Sequence, residues 1–352
     1  MYLINLFDFY NQMMHMINTE KVVALTKGAI KKLVVKRSQD ARTYGTYNSR
    51  YCYSVWLRHL TYASKMGFNH VDKVVAELGP GESIGIGLAA LLTGCKKYHA
   101  LDVYQYWDTK KNLMIFDKLV DLFKNRTDIP DNHEFPKVYP LLDNYGFPYH
   151  ILKDDLMKKM LSEDRITKLR SDIRNMDSKK GDQIEFYAPW ETTAKIQQGS
   201  LDYIYSQAVL QYVEDLDRTY GKMNSLLKQG GMMSHCIDFS SHRLTKSWNG
   251  HWMFSDAEWR FVHGNKKIIL NREPKSSHVH INVKQGFEIL LMKDTKKQIG
   301  YTQKQFHKKY KTLSDQDSQT SVSFILSKKI KDTTNSVRED LHKAGGNSLF
   351  DL

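Results

Sequence analysis

Short apolar runs alternate with helical stripes of apolar residues along most of the chain. The first run, Val74–Leu78, precedes a glycine turn, an apolar helical stretch over residues 84–92 and a second run that ends at Asp102. Further runs that are typical of buried strands cover residues 183–187, 201–206, 232–237, 286–292 and 321–326. Strands that alternate with helices predict an α/β fold built on a mostly parallel sheet.

Amphipathic stripes predict further helices outside these units. Residues 1–46 form an N-terminal helical segment in this interpretation, and residues 1–17 either pack on the domain or lie at a membrane surface. Residues 104–182 form an unusually long connection, where we expect a helical insertion that caps the carboxyl edge of the sheet or makes an oligomer contact. Residues 47–330 are predicted to be one domain, and the polar residues 331–352 a disordered tail.

Composition and charge narrow the class of protein. Apolar residues make up 41% of the chain, as in ordinary globular proteins, and the three cysteines show no metal or disulfide spacing. No apolar run reaches the roughly 20 residues that a bilayer requires, so we expect a cytoplasmic protein. The net charge of +13 is spread along the chain without an arginine-rich stretch. This distribution favours a lysine-rich background, an anionic substrate or a peripheral membrane contact over nucleic acid.

The glycine turn after the first strand carries the clearest chemical signal. Gly79 and Gly81 let the backbone pass close to a ligand, and an acid at the end of the second strand, Asp102, suits the hydroxyls of an adenosine ribose. Ile84 stands where a dinucleotide fingerprint requires its third glycine, and no Gly-Lys-Ser/Thr follows for a triphosphate. Glu77 would repel a pyrophosphate, whereas it suits a cationic sulfonium amino acid.

Two motifs resemble those of the class I S-adenosylmethionine-dependent methyltransferases. The turn is similar to motif I, E/D-x-G-x-G-x-G, with Ser83 in the third glycine position. Residues 199–213 are similar to motif IV, G-S-x-D-x-I-x-S-x-x-V-L-x-x-V. The resemblance implies a Rossmann-like sheet of seven mostly parallel strands with an antiparallel last strand, N-terminal helices over the cofactor, and S-adenosylmethionine as that cofactor.

The resemblance also implies three groups of cofactor-binding residues. Around the methionine half and the ribose these are Glu77, Gly79, Pro80, Gly81, Ser83, Asp102 and Val103. Near the adenine, where the family usually has an acid, this chain has Ala188, Pro189 and Trp190. Facing the methyl donor, at the end of motif IV, are Ser206, Gln207 and Leu210.

A cluster after the fifth strand supplies candidates for the acceptor side. A histidine oriented by an aspartate could remove a proton from a hydroxyl acceptor. The candidates are His235, Asp238, His242 and His251. They could alternatively hold a divalent metal, although no metal is predicted, or be incidental loop residues.

The acceptor itself is the least determined part. The aromatic stretch over residues 248–254 suits a sugar ring or an ordinary core, and it resembles a bacterial class I subgroup associated with surface-polysaccharide gene clusters. We therefore expect O-methylation of a sugar, glycan or other small polar acceptor. An RNA methyltransferase and a non-catalytic S-adenosylmethionine-binding protein are the alternatives, and the oligomeric state stays open.

Overall fold

The computed structural model describes residues 19–33, 45–105, 108–176, 182–190, 196–264, 266, 268–298 and 300–333. The predicted helix over residues 1–17 and nearly all of the predicted tail lie outside these ranges. The contacts divide the chain into two compact units. The larger takes in the described residues of Arg42–Ile237, Ser277–Lys293 and Ser323–Leu352, and the smaller those of Met1–Ala41, Asp238–Ser276 and Asp294–Val322. The domain boundaries predicted from the sequence stay predictions.

Seven strands form one sheet in the order β3-β2-β1-β4-β5-β7-β6. They are β1 (Val74–Leu78), β2 (Lys97–Leu101), β3 (Ile184–Tyr187), β4 (Leu201–Gln207), β5 (Leu227–Asp238), β6 (Phe287–Lys296) and β7 (Thr320–Lys329). Strands β3, β2, β1, β4 and β5 pair in parallel. The predicted Rossmann-like fold class is confirmed.

The last strand runs against its neighbours. At one end of β7 the backbone N–H of Phe239 donates to the Ser321 carbonyl, at 2.9 Å. At the other end, Lys329 Nζ donates to the carbonyl of Leu227, also at 2.9 Å. The start of β5 therefore lies beside the end of β7, as in an antiparallel pair.

Ten α-helices are present in the described part of the chain. They are α1 (Thr19–Leu33), α2 (Ser49–Lys65), α3 (Gly85–Thr93), α4 (Thr109–Lys124), α5 (Asp154–Met160), α6 (Glu163–Asn175), α7 (Leu216–Leu226), α8 (Asp256–His263), α9 (Lys275–Lys284) and α10 (Asp315–Gln319). Among the described residues, no helix has both the length and the apolar content of a membrane span.

Helix α2 is the buried helix ahead of β1. Its N-terminus is capped by Asn48, whose side-chain oxygen accepts from the backbone N–H of Arg50 at 2.9 Å. Tyr53, Trp56 and Leu60, on the apolar face of this helix, are fully buried. The helix packs against α3 and α4 in the larger unit.

The long connection between β2 and β3 forms helices α4, α5 and α6 and an extended segment between α4 and α5. Helix α4 packs on α2, α3 and α6, and α5 packs on α3. In the extended segment, the carbonyl of Tyr139 accepts from Gln207 Nε2 at the carboxyl end of β4, at 3.2 Å. The helices therefore add to the layer of α2 and α3, while one loop reaches the carboxyl edge. A capping function stays a prediction.

The smaller unit joins α1 to the segment that follows β5. Helices α1 and α8 approach closely, since a β-carbon at Gly28 would lie 2.6 Å from the carbonyl oxygen of Phe261. Glu20 on α1 accepts from the backbone N–H of Ser247 at 2.9 Å and from the hydroxyl of Tyr301. The N-terminal helix is therefore an integral part of this unit.

Candidate functional site

The turn after β1 has the backbone that its glycines predict. Gly79 and Gly81 have φ angles of 71° and 72°, in the left-handed region that favours glycine. The backbone N–H of Gly79 donates to the carbonyl of Leu101 at 2.7 Å, which joins the ends of β1 and β2. A β-carbon at Gly79 would lie 2.6 Å from Val209 Cγ2, so glycine is required there for space as well as for φ.

Asp102 stands at the end of β2, beside this turn. Its Oδ2 accepts from the backbone N–H of Gly81 at 3.3 Å, and its Oδ1 accepts from the N–H groups of Val103 and Tyr104 at 2.7 and 3.3 Å. Burial raises the pKa of Asp102, against the lowering effect of these N–H groups. A carboxylate has about four acceptor positions, so three bonds leave capacity for a ligand hydroxyl.

Glu77 lies inside the sheet and is only 2% exposed. Its Oε2 accepts from the hydroxyls of Tyr98 and Tyr205, at 2.7 and 3.4 Å. Burial raises the pKa of Glu77 to about 8, although both hydrogen bonds act to lower it. In the free protein this carboxyl is therefore largely protonated at neutral pH. The two tyrosine partners carried no recognisable signal in the sequence.

The N-terminal end of α2 covers the start of α3. The carbonyl of Thr46 accepts from the hydroxyl of Ser83, and from Cys52 Sγ at 3.2 Å. A β-carbon at Gly85 would lie 2.5 Å from the same sulfur. Pro80 sits inside the glycine turn and is buried. The structure thus places Ser83 against the N-terminal end of α2, while Pro80 is buried between Gly79 and Gly81.

The segment after β3 reaches Asp102 through the main chain. The backbone N–H of Trp190 donates to the Asp102 carbonyl at 3.0 Å, and the indole is 2% exposed. Ala188 and Pro189 precede it, while Val103 on the neighbouring loop is 48% exposed. Ala188, Pro189 and Trp190 lie at the β2–β3 edge, where the sequence predicted an adenine contact. That contact and the predicted cofactor contact of Val103 stay predictions.

The polar side chains at the end of β4 form hydrogen bonds with other buried side chains of the protein. The Ser206 hydroxyl pairs with His235 Nδ1 at 2.8 Å, and Gln207 Oε1 pairs with His59 Nε2 at 3.1 Å. Ala208 then takes a left-handed φ of 56°, and Leu210 is fully buried. Any contact of Ser206 or Gln207 with a donor would therefore fall mainly to their backbone groups.

His235 lies in the core of the larger unit. Its side chain is fully buried, and Nε2 has no hydrogen-bond partner among the described residues. Burial lowers its pKa to about 3, with smaller contributions from His59 and His278. The imidazole is therefore neutral at physiological pH, and it holds Ser206 from within the sheet.

The other three predicted catalytic residues belong to the smaller unit. His242 Nε2 lies 3.2 Å from Asp238 Oδ2, with both side chains partly exposed. Burial acts to raise the pKa of Asp238, but the neighbouring His242 and Ser240 together outweigh it and hold that pKa below its usual range. Burial lowers the pKa of His251 to about 3, and the nearby charges of Arg272 and His242 add to this effect. The structure thus pairs Asp238 with His242, and His251 lies near enough for the charges of both to affect its pKa.

Backbone strain marks the same loop. His242 and Arg243 have φ angles of 48° and 62°, and Arg272 has a φ of 65°. Left-handed backbone costs a non-glycine residue about 1–2 kcal/mol, and it is concentrated at functional sites in proteins. The sequence did not predict these conformations, because histidine and arginine adopt a positive φ far less often than glycine does.

The aromatic stretch after this loop forms a core. Trp252 packs with Phe306 and Tyr310, and its indole N–H donates to the carbonyl of Arg272 at 3.0 Å. The Arg272 guanidinium lies 5.1 Å from the ring centre of Tyr310. Within the described ranges, no three His, Cys, Asp or Glu side chains lie together as a metal site.

Comparisons with known proteins concern the fold. No family model and no curated protein matches the sequence. The chain is similar to solved S-adenosylmethionine-dependent methyltransferases from Mesorhizobium loti (12% identity, 77% of this chain and 98% of that chain, TM-score 0.39) and Methanosarcina mazei (13%, 76% and 98%, 0.40). It is also similar to geranyl diphosphate C-methyltransferase from Streptomyces coelicolor A3(2) (9%, 77% and 76%, 0.39). Values of this size do not establish an activity for this chain.

Proposed function

We propose that the protein is an S-adenosylmethionine-dependent methyltransferase that acts on a hydroxyl of a sugar, a glycan or another small polar acceptor. The observation that carries this proposal is the left-handed turn at Gly79 and Gly81, hydrogen-bonded to a carboxylate with remaining acceptor capacity at Asp102. When bound, S-adenosylmethionine supplies an electrophilic methyl group. The chain would contribute Asp102 to the ribose hydroxyls and the turn to the methionine half.

Asp238 and His242 are the proposed acid–base pair. Since Asp238 has a lowered pKa, it is ionised at neutral pH, and its Oδ2 lies 3.2 Å from His242 Nε2. A carboxylate at this position favours the tautomer that carries the proton on Nε2 and leaves Nδ1 as the basic nitrogen. His242 would then take the proton of the acceptor hydroxyl. His251 would act as a neutral neighbour, because its pKa of about 3 keeps it uncharged.

A sugar acceptor is supported by side-chain chemistry alone. In the aromatic stretch over residues 248–254, the indole ring of Trp248 is only partly buried, whereas the amide of Asn249 and the imidazole of His251 are buried beside it. Flat aromatic faces with polar edges suit sugar rings. The proposed association with surface polysaccharides depends on the same residues.

Calorimetry with S-adenosylhomocysteine tests the donor site. We expect Asp102→Ala to weaken binding by about ten- to a hundredfold, the scale of a lost hydrogen bond to a charged group. Asp121→Ala, on the exposed side of α4, is the matched control and should bind like the wild type. Equal affinity of Asp102→Ala and wild type would reject this site.

Transfer of a labelled methyl group tests the acceptor. Nucleotide sugars, glycan extracts and RNA should be compared, each with and without a chelator. We expect incorporation into a sugar-containing fraction. Incorporation into RNA alone would contradict the proposed acceptor, and donor binding without any transfer would indicate a non-catalytic binding protein.

A further inference from the structure

Arg58 is a fully buried arginine in the middle of α2. Its guanidinium donates mainly to neutral oxygen atoms of one segment of the chain. These are the carbonyls of Val138 at 2.8 Å, Pro140 at 2.9 Å and Pro130 at 2.9 Å, and Asn132 Oδ1 at 3.0 Å. A rigid fork of five N–H donors can satisfy several carbonyls at once, whereas lysine could not.

We call residues 127–145 the strap. The strap runs along α2, and several side chains of that helix hold it. Besides Arg58, these contacts are Tyr53 to the Thr127 carbonyl (2.5 Å), Ser54 to the Pro130 carbonyl (2.8 Å), Tyr62 to the Leu141 carbonyl (2.5 Å), Arg50 to Glu134 (2.7 Å) and Lys65 to Asp143 (3.1 Å). The contacts of Arg50 and Lys65 are on the surface, whereas those of Arg58 are buried.

Tyr139 lies between Val138 and Pro140, two of the three residues whose carbonyls Arg58 holds, and it connects the strap to the carboxyl end of β4. Its carbonyl accepts from Gln207 Nε2 at 3.2 Å. Since a carbonyl only accepts, the amide nitrogen of Gln207 must face the strap, and its Oε1 must face His59 Nε2 at 3.1 Å. His59 therefore donates from Nε2, and the neutral ring accepts at Nδ1.

The remaining partners of His59 complete the chain of hydrogen bonds. His59 Nδ1 lies 2.6 Å from Ser234 Oγ, so the hydroxyl of Ser234 donates to it. The hydroxyl of Tyr203 can then donate to Ser234 Oγ. Burial lowers the pKa of His59 to about 4, so the ring is neutral near pH 7, as this direction requires. Each group therefore donates to the next, from Tyr203 to Ser234, His59, Gln207 and finally the Tyr139 carbonyl of the strap.

We propose that Arg58 and His59 are positioning residues that together fix Gln207, and with it the donor-facing end of β4, by holding the strap from one side and the glutamine amide from the other. This inference rests on the proposed function, because it assigns the end of β4 to donor binding. Arg58 acts through the carbonyls on either side of Tyr139, and His59 acts directly. Neither residue needs to touch the donor.

Gln207→Glu is the most selective disruption. A carboxylate in place of the amide would point an oxygen at the Tyr139 carbonyl and repel it, while the side chain keeps its size. Gln207→Met removes the same hydrogen bonds without adding charge, and serves if the glutamate variant does not fold. Arg58→Lys keeps the positive charge but cannot reach all the strap carbonyls.

Hydrogen exchange in the free protein tests the connection without any ligand. The amide of Val138 donates to the carbonyl of Phe135 at 3.1 Å, and the amide of Leu142 donates to the hydroxyl of Tyr145 at 3.2 Å. We expect Gln207→Glu and Arg58→Lys each to speed exchange of these two amides by about tenfold, the scale of one lost hydrogen bond. Wild-type exchange rates in both variants would overturn the proposal.

Binding of S-adenosylhomocysteine then tests the function of the connection. The measurement is made well below the melting temperature of each variant. We expect Gln207→Glu and Arg58→Lys each to weaken binding by about tenfold. The double variant should bind no more weakly than the weaker single variant, because both changes act through the same strap. Independent, multiplying effects, or wild-type affinity in both variants, would contradict positioning.

Lys65→Gln is the matched control. It removes a surface contact of α2 with the strap at Asp143 and should leave the affinity unchanged. A tenfold loss in this variant would assign the effect to general loosening of the strap and overturn the specific roles of Arg58 and His59. If the wild type fails to bind S-adenosylhomocysteine, the proposed function is rejected, while the exchange measurement still decides whether the connection exists.

Discussion

The glycine turn proposed to bind the donor (the donor turn, residues 79–81) and the loop after β5 both contain two left-handed residues, but they reach this conformation differently. The donor turn places glycine at positions 79 and 81, where a positive φ carries no β-carbon penalty. The loop places His242 and Arg243 in the same region, at about 1–2 kcal/mol for each residue. The comparison teaches that a glycine turn depends on local sterics, whereas a strained loop depends on tertiary contacts such as the pairing of His242 with Asp238.

Gly79→Val should produce the largest effect. A β-carbon there would lie 2.6 Å from Val209 Cγ2 in a backbone with positive φ. We expect S-adenosylhomocysteine affinity to fall by about a thousandfold or more, since strain and a steric clash add. Calorimetry provides the measurement.

Gly67→Val is the control for this change. Gly67 has a φ of 89°, yet an added β-carbon would meet nothing within 4 Å. It should lower stability and leave the affinity of the folded protein unchanged. Equal affinity losses at both positions would show that backbone strain, and not the site, explains the effect.

His242→Asn tests the loop after β5. It removes the proposed base while keeping a small polar residue that tolerates a positive φ. We expect kcat to fall by about a hundredfold with the first acceptor that accepts the labelled methyl group, and donor affinity to stay within about twofold. His280→Asn, on the exposed side of α9, is the control. Unchanged kcat in His242→Asn would remove this residue from the mechanism.

Glu77→Gln tests whether the buried carboxyl of Glu77 keeps its proton in the folded protein. Because the pKa of Glu77 is raised to about 8 in the folded protein, the folded state binds its proton more tightly than the unfolded chain. Stability should therefore fall as pH rises from the ordinary value of 4.5 towards 8, and stay low above it. Glutamine carries no proton to lose, so the variant should gain about 3–4 kcal/mol over the wild type between pH 5 and pH 8.

Denaturant unfolding at pH 5 and pH 8 measures this difference. Glu163→Gln, an exposed residue on α6, is the control and should keep the pH dependence of the wild type. A parallel pH dependence in Glu77→Gln and wild type would mean that Glu77 is not held protonated in the core.

Arg243→Gly should produce the smallest effect, and the sign of that effect is informative. Arg243 is exposed and left-handed, so glycine would relieve strain and raise stability by up to about 1 kcal/mol. Lys246→Gly, in the same loop but without a positive φ, should lower it by about 0.5–1 kcal/mol. Thermal unfolding of both variants gives the comparison. A loss of stability in Arg243→Gly would contradict the inference that the backbone is strained at Arg243.

Several features could be predicted because they depend on local rules. Strand and helix positions follow from the periodicity of apolar residues, so β1, α3 and β2 fall where the pattern places them. The turn at Gly79 follows from φ, and the position of Asp102 follows from the parallel order of β1 and β2.

Other features could not be predicted, because their partners are distant in sequence. Nothing local indicates that His235 is buried and neutral beside Ser206 while His242 stays partly exposed. Likewise, the contact of Gln207 with Tyr139 joins residues 68 positions apart. Burial and hydrogen bonding between such residues exist only once the chain has folded.

The sequence by itself determined the order of strands and helices, the glycine turn and the acid that follows β2, because these depend on side-chain periodicity and on the φ angles open to glycine. Only the tertiary structure decided which polar residues are held inside the protein and which face outward. It placed Arg58 and His59 in contact with the strap and Gln207, and it paired Asp238 with His242. The physical reason is that burial, and the hydrogen bonds that must compensate for it, depend on neighbours in space.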